Sequence, residues 1–247
     1  MGMTIEDIFQ EETQEEDYLH EEIEEKIRER KTFYSEGGAK IFEYLPVNKN
    51  SLEDNYINHL WDAFVTLNGF GEHGIGFSIM PFHLLFMLSI QYKVMRIIRV
   101  HEKECLLVFS TVGGRDKKKL LNPQRSVFDL ACLNERILPE LLQLLSVDEE
   151  VIKKIKTLVD YRNDSLAHPK GGIESNHEEI INRYIEILEL IQPYLLPVNN
   201  QVARAWMGEM EPGDSGVEYV QLHLAEEYLC PADMGQGNLV HFANILE

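Results

Sequence analysis

Apolar residues recur every three or four positions through most of the chain, and few segments before Pro197 alternate with period two. The first spacing lines one face of a helix, whereas a half-buried strand requires strict alternation. The pattern therefore predicts an all-α body. The predicted helices cover an N-terminal segment that ends before residue 36, then 52–67, 81–112 as one or two helices, 126–145, 147–162 and 176–195.

The longest apolar run, from Ile79 to Ile90, is interrupted by Pro81 and His83. It is shorter than the roughly 20 residues that a membrane-spanning helix needs. It is therefore predicted to be a buried helix, with no contact with a membrane. No basic segment followed by an apolar one begins the chain, so no secretory signal is predicted, and the three scattered cysteines do not suggest a disulfide framework. A cytoplasmic location is expected.

Acidic residues concentrate at the two ends of the chain. Of the formal net charge of −19, residues 1–36 contribute −9, residues 197–247 contribute −7 and the remainder only −3. We therefore expect a helical bundle over 50–196, an acidic N-terminal helical extension over 1–36 and a small acidic C-terminal extension over 197–247. Residues 93–136 contain ten Lys or Arg against five Asp or Glu, so a local positive surface is compatible with the acidic total.

Two patterns suggest cofactors or metals but lack the context that such sites need. Gly69-Phe-Gly71-Glu-His-Gly74 matches the dinucleotide fingerprint G-x-G-x-x-G. That motif follows a strand, whereas a helical pattern precedes it here, so it is predicted to be a flexible turn. The cysteines and histidines lack the paired spacing of zinc ligands. No cofactor and no metal are expected. The basic loop Lys117–Lys119 is predicted to be solvated, with phosphate steering as an alternative.

The densest group of reactive side chains is the segment Arg162 to His168, which Pro169 and two glycines closely follow. A guanidinium is always charged and binds phosphate bidentately, so Arg162 can stabilise negative charge on phosphorus. An imidazole near its ordinary pKa transfers protons at neutral pH, so His168 can act as general acid or base. These are the groups that cleavage of RNA without a metal requires.

Two polar neighbours complete the candidate site. Asn163 can bind a phosphate or orient the histidine, and Asp164 is a weaker candidate for the second role. The catalytic candidates are therefore Arg162, His168, Asn163 and Asp164. A purely structural interpretation stays open, because cations favour helix C-termini while Asn, Asp and Ser favour caps and turns.

Arg162 and His168 do not share a face of a straight helix. The six positions that separate them, at about 100° each, place them on different sides. Pro169 also disfavours helical geometry at His168. Convergence on one ligand therefore requires a bend in the chain or contributions from two subunits.

The arrangement Arg162-Asn-x4-His168, placed before the last predicted helix, resembles the R-x4-6-H motif of HEPN domains (higher eukaryotes and prokaryotes nucleotide-binding). A polar residue directly after the arginine, here Asn163, is a common feature of that motif. The resemblance covers roughly residues 50–196 and leaves the two acidic ends outside it. It implies a HEPN-like helical bundle that forms a homodimer with two motifs facing each other in one cleft.

The resemblance also implies an activity. HEPN ribonucleases are metal-independent endoribonucleases that leave a 2′,3′-cyclic phosphate, and many act as toxins or antiviral effectors. In this chain, Arg162 and His168 would be the catalytic pair, and Asn163 the supporting polar group. RNA would be the substrate, and an antitoxin or another protein could bind through the acidic ends. Two alternatives stay open: a non-catalytic HEPN-like module that binds a nucleotide or a protein, and a plain helical interaction protein.

Overall fold

The structure is a computed structural model that describes residues 40, 41, 43–45, 54–70, 72–109, 120, 126–166, 177–209 and 233. These residues are 90% helical and contain no strand, which confirms the all-α prediction. The predicted N-terminal helical extension, 1–36, lies outside the described residues. The chain divides into two units, Met1–Ile41 and Phe42–Glu247, and every helix named below belongs to the second.

The main helices of the second unit follow one another in this order: α1 (Asp54–Gly69), α2 (Glu72–Val100), α3 (Glu102–Phe109), α4 (Glu149–Tyr161) and α5 (His177–Glu209). Between α3 and α4 lie two 3₁₀ helices, Val127–Cys132 and Leu138–Leu145, and directly after α4 comes a π-helical turn, Arg162–Leu166. The single helix predicted over 126–145 is therefore wrong, and the helices predicted over 52–67, 81–112, 147–162 and 176–195 are confirmed with changed ends.

The central element of the bundle is α2, which packs against α1, α5, both 3₁₀ helices and the π turn. Within the described residues, Gly76–Val100 is the one stretch long and apolar enough to cross a membrane by length and composition. The protein itself buries 78% of that window. A helix that is apolar on most sides is typical of a core position, because other helices surround it.

The glycine-rich segment before α2 is more helical than the sequence predicted. Helix α1 ends at Gly69 and α2 already begins at Glu72, so Gly74 lies in the first turn of α2. A Cβ atom at Gly74 would stand 2.0 Å from the carbonyl oxygen of Leu67. The predicted flexible turn is therefore wrong in extent, and the physical role of Gly74 is to let the backbones of α1 and α2 approach closely.

The segment 126–145 forms two short helices because its polar residues cap and break it. Ser126 accepts a hydrogen bond from the backbone N–H of Phe128, and the Asp129 carboxylate accepts one from the N–H of Ser126 at 2.9 Å. Farther on, the Asn134 side chain accepts from the N–H of Arg136 at 2.9 Å, which closes a turn. Pro139 has no N–H to donate to a preceding turn, so a continuous α-helix would lose a bond there.

Helix α4 lies where the sequence predicts a helix, over 147–162, and it buries one face. The Asp148 side chain accepts from the N–H of Glu150 at 2.8 Å and caps the helix. One face is buried, and it consists of Val151, Ile152, Ile155, Leu158 and Val159. Helix α5 is longer than predicted, since it continues beyond 195 and through Pro193 and Pro197 to Glu209. It therefore crosses the predicted boundary between the bundle and the C-terminal extension.

One described residue of the C-terminal extension, Asp233, is fully buried between α2 and α5. Its carboxylate lies 3.2 Å from Nζ of Lys93 and 2.9 Å from a terminal nitrogen of Arg96, and both cations are also buried. The side chains of Gln192 and Asn199 donate to its carboxylate and backbone carbonyl at 3.2 Å and 3.1 Å. Two of the ten basic residues counted in 93–136 are therefore core residues and contribute nothing to a positive surface.

Candidate functional site

A fully buried histidine of α2, His83, lies inside a cluster of aromatic side chains. Its Nδ1 atom lies 2.9 Å from the hydroxyl of Tyr184, which α5 places edge-on to its ring at a centroid distance of 5.7 Å. Phe82 and Phe86 also pack against the Tyr184 ring. An imidazole and a hydroxyl in such apolar surroundings need partners, because an unpaired buried polar group costs about 1–3 kcal/mol.

The environment determines which protons this pair carries. Burial lowers the pKa of His83 from its usual 6.5, so the ring is neutral at neutral pH. Burial raises the pKa of Tyr184, so its hydroxyl keeps its proton. The Glu135 carboxylate beside Nε2 favours the tautomer with the ring hydrogen on Nε2, in which the Tyr184 hydroxyl donates to Nδ1. A neutral imidazole that accepts at Nδ1 carries its hydrogen on Nε2. The Nε2–H group therefore faces the next polar residue.

That next residue is Glu135, in the turn between the two 3₁₀ helices. One of its carboxylate oxygens lies 3.5 Å from Nε2 of His83. At this distance the two atoms are in polar contact but do not form a well-formed hydrogen bond. The same oxygen accepts a hydrogen bond from a terminal nitrogen of Arg162. The contact with the His83 ring, together with the Arg162 guanidinium, lowers the pKa of Glu135 below its usual 4.5.

Two ion pairs attach this turn to the C-terminal end of α4. Glu135 pairs with Arg162, and the neighbouring Arg136 pairs with Asp160 at 3.0 Å. The first pair is shielded, since 26% of the Glu135 side chain and 20% of the Arg162 side chain are exposed, whereas the second is open to solvent. Shielded pairs are screened less by salt, so the Glu135–Arg162 pair has the stronger interaction.

The residues predicted to form the active site lie on the π turn and beyond it. Arg162 caps the C-terminus of α4, where its N–H donates to the carbonyl oxygens of Leu158 and Val159. Asn163 is half-buried and Asp164 is exposed. His168 lies outside the described residues, so its distance from Arg162 stays a prediction.

The π turn begins at the first residue of the predicted motif. Its hydrogen bonds span five residues instead of four, so the chain leaves regular α-helical geometry at Arg162. A bend or a second subunit is needed to bring Arg162 and His168 together. The π turn changes the backbone geometry at the position where that bend is required. Single π turns are frequent at functional sites.

The sequence interpretation missed two residues of this arrangement, His83 and Glu135. His83 left a signal, since a polar residue inside the apolar run from Ile79 to Ile90 is expected to be buried and paired. Glu135 could not be identified in this way, because a single acidic residue in a turn of mixed charge has the same sequence pattern as a surface residue. Its partners lie 52 positions before it and 27 positions after it.

A shallow groove of about 470 Å³ separates α4 from α5 near Tyr161. Leu158, Ile180 and Ile187 form part of its apolar lining. Its charged rim is internally paired, because Lys154 contacts Glu186 at 3.4 Å and other rim cations contact neighbouring glutamates. The groove therefore presents little net charge to a ligand. In the part of the chain that the structure describes, no three His, Cys, Asp or Glu residues lie close enough together to hold a metal ion.

The fold and the site define an all-α protein in which a chain of polar side chains connects the core to an arginine at a helix end. No protein-family model matches this chain, and no curated protein or solved structure is detectably similar to it.

Proposed function

We propose that this protein is a metal-independent endoribonuclease of the HEPN type. The observation that carries the proposal is the position of Arg162, on a π turn at the end of α4 and before the long helix α5. About a fifth of its side chain is exposed, although Nε is buried, so a phosphate of RNA can approach part of the guanidinium.

The proposed reaction needs two kinds of group. A general base removes the proton of a ribose 2′-OH, the 2′-oxygen attacks the adjacent phosphorus, and the bond from phosphorus to the 5′-oxygen breaks. A general acid gives a proton to the departing 5′-oxygen, and the product is a 2′,3′-cyclic phosphate. His168 performs the proton transfers and Arg162 stabilises the charge that develops on the phosphorane. The site is proposed to combine motifs from the two subunits of a homodimer.

The two remaining candidates have supporting roles. Half-buried Asn163 follows Arg162 directly, and its amide can bind a phosphate oxygen or orient His168. Exposed Asp164 can orient the histidine from the solvent side. We further propose that the enzyme acts in the cytoplasm as a toxin or antiviral effector, with an antitoxin or another protein bound through the acidic ends of the chain.

The test is cleavage of mixed RNA substrates in the presence of EDTA. Wild type is expected to cleave, while Arg162→Ala and His168→Ala are expected to be inactive but folded. Arg183→Ala and His59→Ala are matched controls, because each removes an exposed side chain of the same type outside the proposed site. Failure of wild type to cleave any RNA, or full activity of both site variants, would rule out the proposal.

One observation favours a second candidate, a non-catalytic HEPN-like module that binds a nucleotide or a protein. The Arg162 guanidinium already has a carboxylate partner, Glu135, which is itself in contact with the core. A paired guanidinium of this kind can serve the fold alone. This candidate predicts that Arg162→Ala lowers the melting temperature, and that nucleotide binding, measured by calorimetry, occurs without any RNA cleavage.

A further inference from the structure

A continuous line of polar contacts, here called the His83 chain, runs from Tyr184 through His83 and Glu135 to Arg162. Its inner end is fully buried and its outer end is one-fifth exposed. Each member comes from a different part of the fold, namely α5, α2, the turn after the first 3₁₀ helix, and the end of α4. The chain therefore connects the packed core to the residue that the proposed function places against the phosphate.

We propose that Glu135 is a positioning residue that holds the guanidinium of Arg162 in one orientation for phosphate binding. This inference rests on the ribonuclease function proposed above. A free arginine side chain has about 2 kcal/mol of rotamer entropy to lose when it is immobilised. A side chain that is already oriented loses less on binding, and correct orientation of a reacting group contributes directly to the rate.

The geometry of a guanidinium allows Glu135 and a phosphate to bind together. Arginine has five N–H donors in a planar fork, and the contact with Glu135 uses one terminal nitrogen. Its Nε is buried, so the other terminal nitrogen is the donor that can bind a phosphate oxygen. The carboxylate also stays ionised at neutral pH, because its pKa is lowered by its polar contact with His83 and by Arg162.

Glu135 can orient another residue because three contacts fix its own position. The Asn134 side chain closes the turn by accepting from the N–H of Arg136. The Arg136–Asp160 pair attaches the turn to α4. On the core side, the ring of His83 contacts the carboxylate, and Tyr184 in turn contacts that ring.

Another pair between a glutamate and a cation of α4 offers a matched control. Glu140, at the start of the second 3₁₀ helix, pairs with Lys156 of α4, just as Glu135 pairs with Arg162. The side chains are comparably exposed, 35% and 28% for this pair against 26% and 20% for the other. Unlike Glu135, Glu140 is not attached to the His83 chain. Its removal is expected to weaken the fold slightly without affecting the proposed site.

The first experiment compares Glu135→Ala, Glu135→Gln and Glu140→Ala in steady-state cleavage of one RNA. We expect Glu135→Ala to lower kcat by about 10- to 100-fold with KM nearly unchanged, because a misplaced group costs rate more than affinity. Glu135→Gln keeps an acceptor oxygen and is expected to fall between wild type and Glu135→Ala. Glu140→Ala should cleave like wild type. Melting temperatures of all variants separate these effects from unfolding.

The second experiment uses chemical rescue. Guanidinium ion added to the Arg162→Ala variant is expected to restore part of the cleavage, because Glu135 can still hold the cation at the vacated position. The double variant Arg162→Ala with Glu135→Ala should show no rescue at the same concentration. Methylammonium, which lacks the planar fork, serves as the control ion and is expected to restore less.

The outcomes separate the positioning role from the enzyme itself. If wild type does not cleave RNA, the ribonuclease function is overturned and the role of Glu135 with it. If wild type cleaves and Arg162→Ala does not, but Glu135→Ala keeps the wild-type kcat, only the positioning role is overturned. The same holds if Glu135→Ala raises kcat or lowers KM, because that result would mean that Glu135 merely neutralises Arg162.

Discussion

The Nδ1 atom of His83 lies 2.9 Å from the hydroxyl oxygen of Tyr184, although the two residues are 101 positions apart. This contact joins the central helix α2 to the long helix α5 inside an aromatic cluster. It is buried, so water cannot replace either partner. The contact therefore couples the alignment of two helices to the polar residues that lead to Arg162.

Tyr184→Phe removes the hydroxyl and leaves Nδ1 of His83 without its partner. We expect a loss of about 1–2 kcal/mol in the free energy of unfolding, because a buried acceptor is then unsatisfied. Urea denaturation measures the change. Tyr194→Phe, at an exposed position of the same helix, is the control and should leave stability within about 0.5 kcal/mol. Equal effects of the two substitutions would contradict a structural role for the contact.

Protonation of His83 is expected to destabilise the fold on the acidic side of neutrality. Burial holds the pKa of the folded ring below 6.5, so in that range the unfolded chain binds more protons than the folded one. The stability is therefore fully present above about pH 6.5 and is lost as the pH falls toward the lowered folded pKa. The charged and titratable groups that face the ring are Glu135, Arg162 and Tyr184.

Thermal unfolding of wild type and His83→Gln between pH 7.5 and about 5 tests this expectation. Wild type should lose melting temperature more steeply than the variant as the pH falls. His59→Gln, at an exposed position of α1, should follow the wild-type profile. The pKa of Glu135 lies below 4.5, so its carboxylate becomes protonated mainly below this pH range and does not affect the comparison. Parallel profiles for wild type and His83→Gln would show that His83 is not the titrating group.

Asp233→Ala is expected to be among the most destabilising single changes in the described part of the chain. It takes a carboxylate away from two buried cations, Lys93 and Arg96. Removing one partner of a buried ionic group costs about 3–5 kcal/mol. Asp160→Ala breaks the exposed pair with Arg136 and should cost about 0–1 kcal/mol. Urea denaturation compares the two, and similar losses would refute the buried role of Asp233.

Gly74→Ala tests the close approach of α1 and α2. A Cβ atom at this position would meet the Leu67 carbonyl oxygen at 2.0 Å, so the helices must separate. The expected loss is about 1–3 kcal/mol. At Gly69 a Cβ atom meets nothing within 4 Å, so Gly69→Ala should be neutral or stabilise by up to about 1 kcal/mol. The difference in melting temperature between the two alanine variants measures the effect. Equal melting temperatures would show that the two helices do not pack this closely.

Part of the site could be predicted from the sequence because its signals are local. Arg162 is followed by Asn and Asp at the end of an apolar repeat, and the structure has a helix end there with a π turn. The candidate His168 follows from the same local pattern. His83 was visible only as an anomaly in an apolar run, and its partners are far away in the sequence.

The sequence by itself determined the all-α class and the position of α4, because these depend on residues within one or two turns of each other. Only the tertiary structure brought Glu135 between His83 and Arg162, and Asp233 between Lys93 and Arg96. Contacts between distant residues depend on how the helices pack, and the spacing of residues along the chain does not determine that packing. Arg162 was recognised from the sequence, and its ion-pair partner Glu135 was recognised only from the fold.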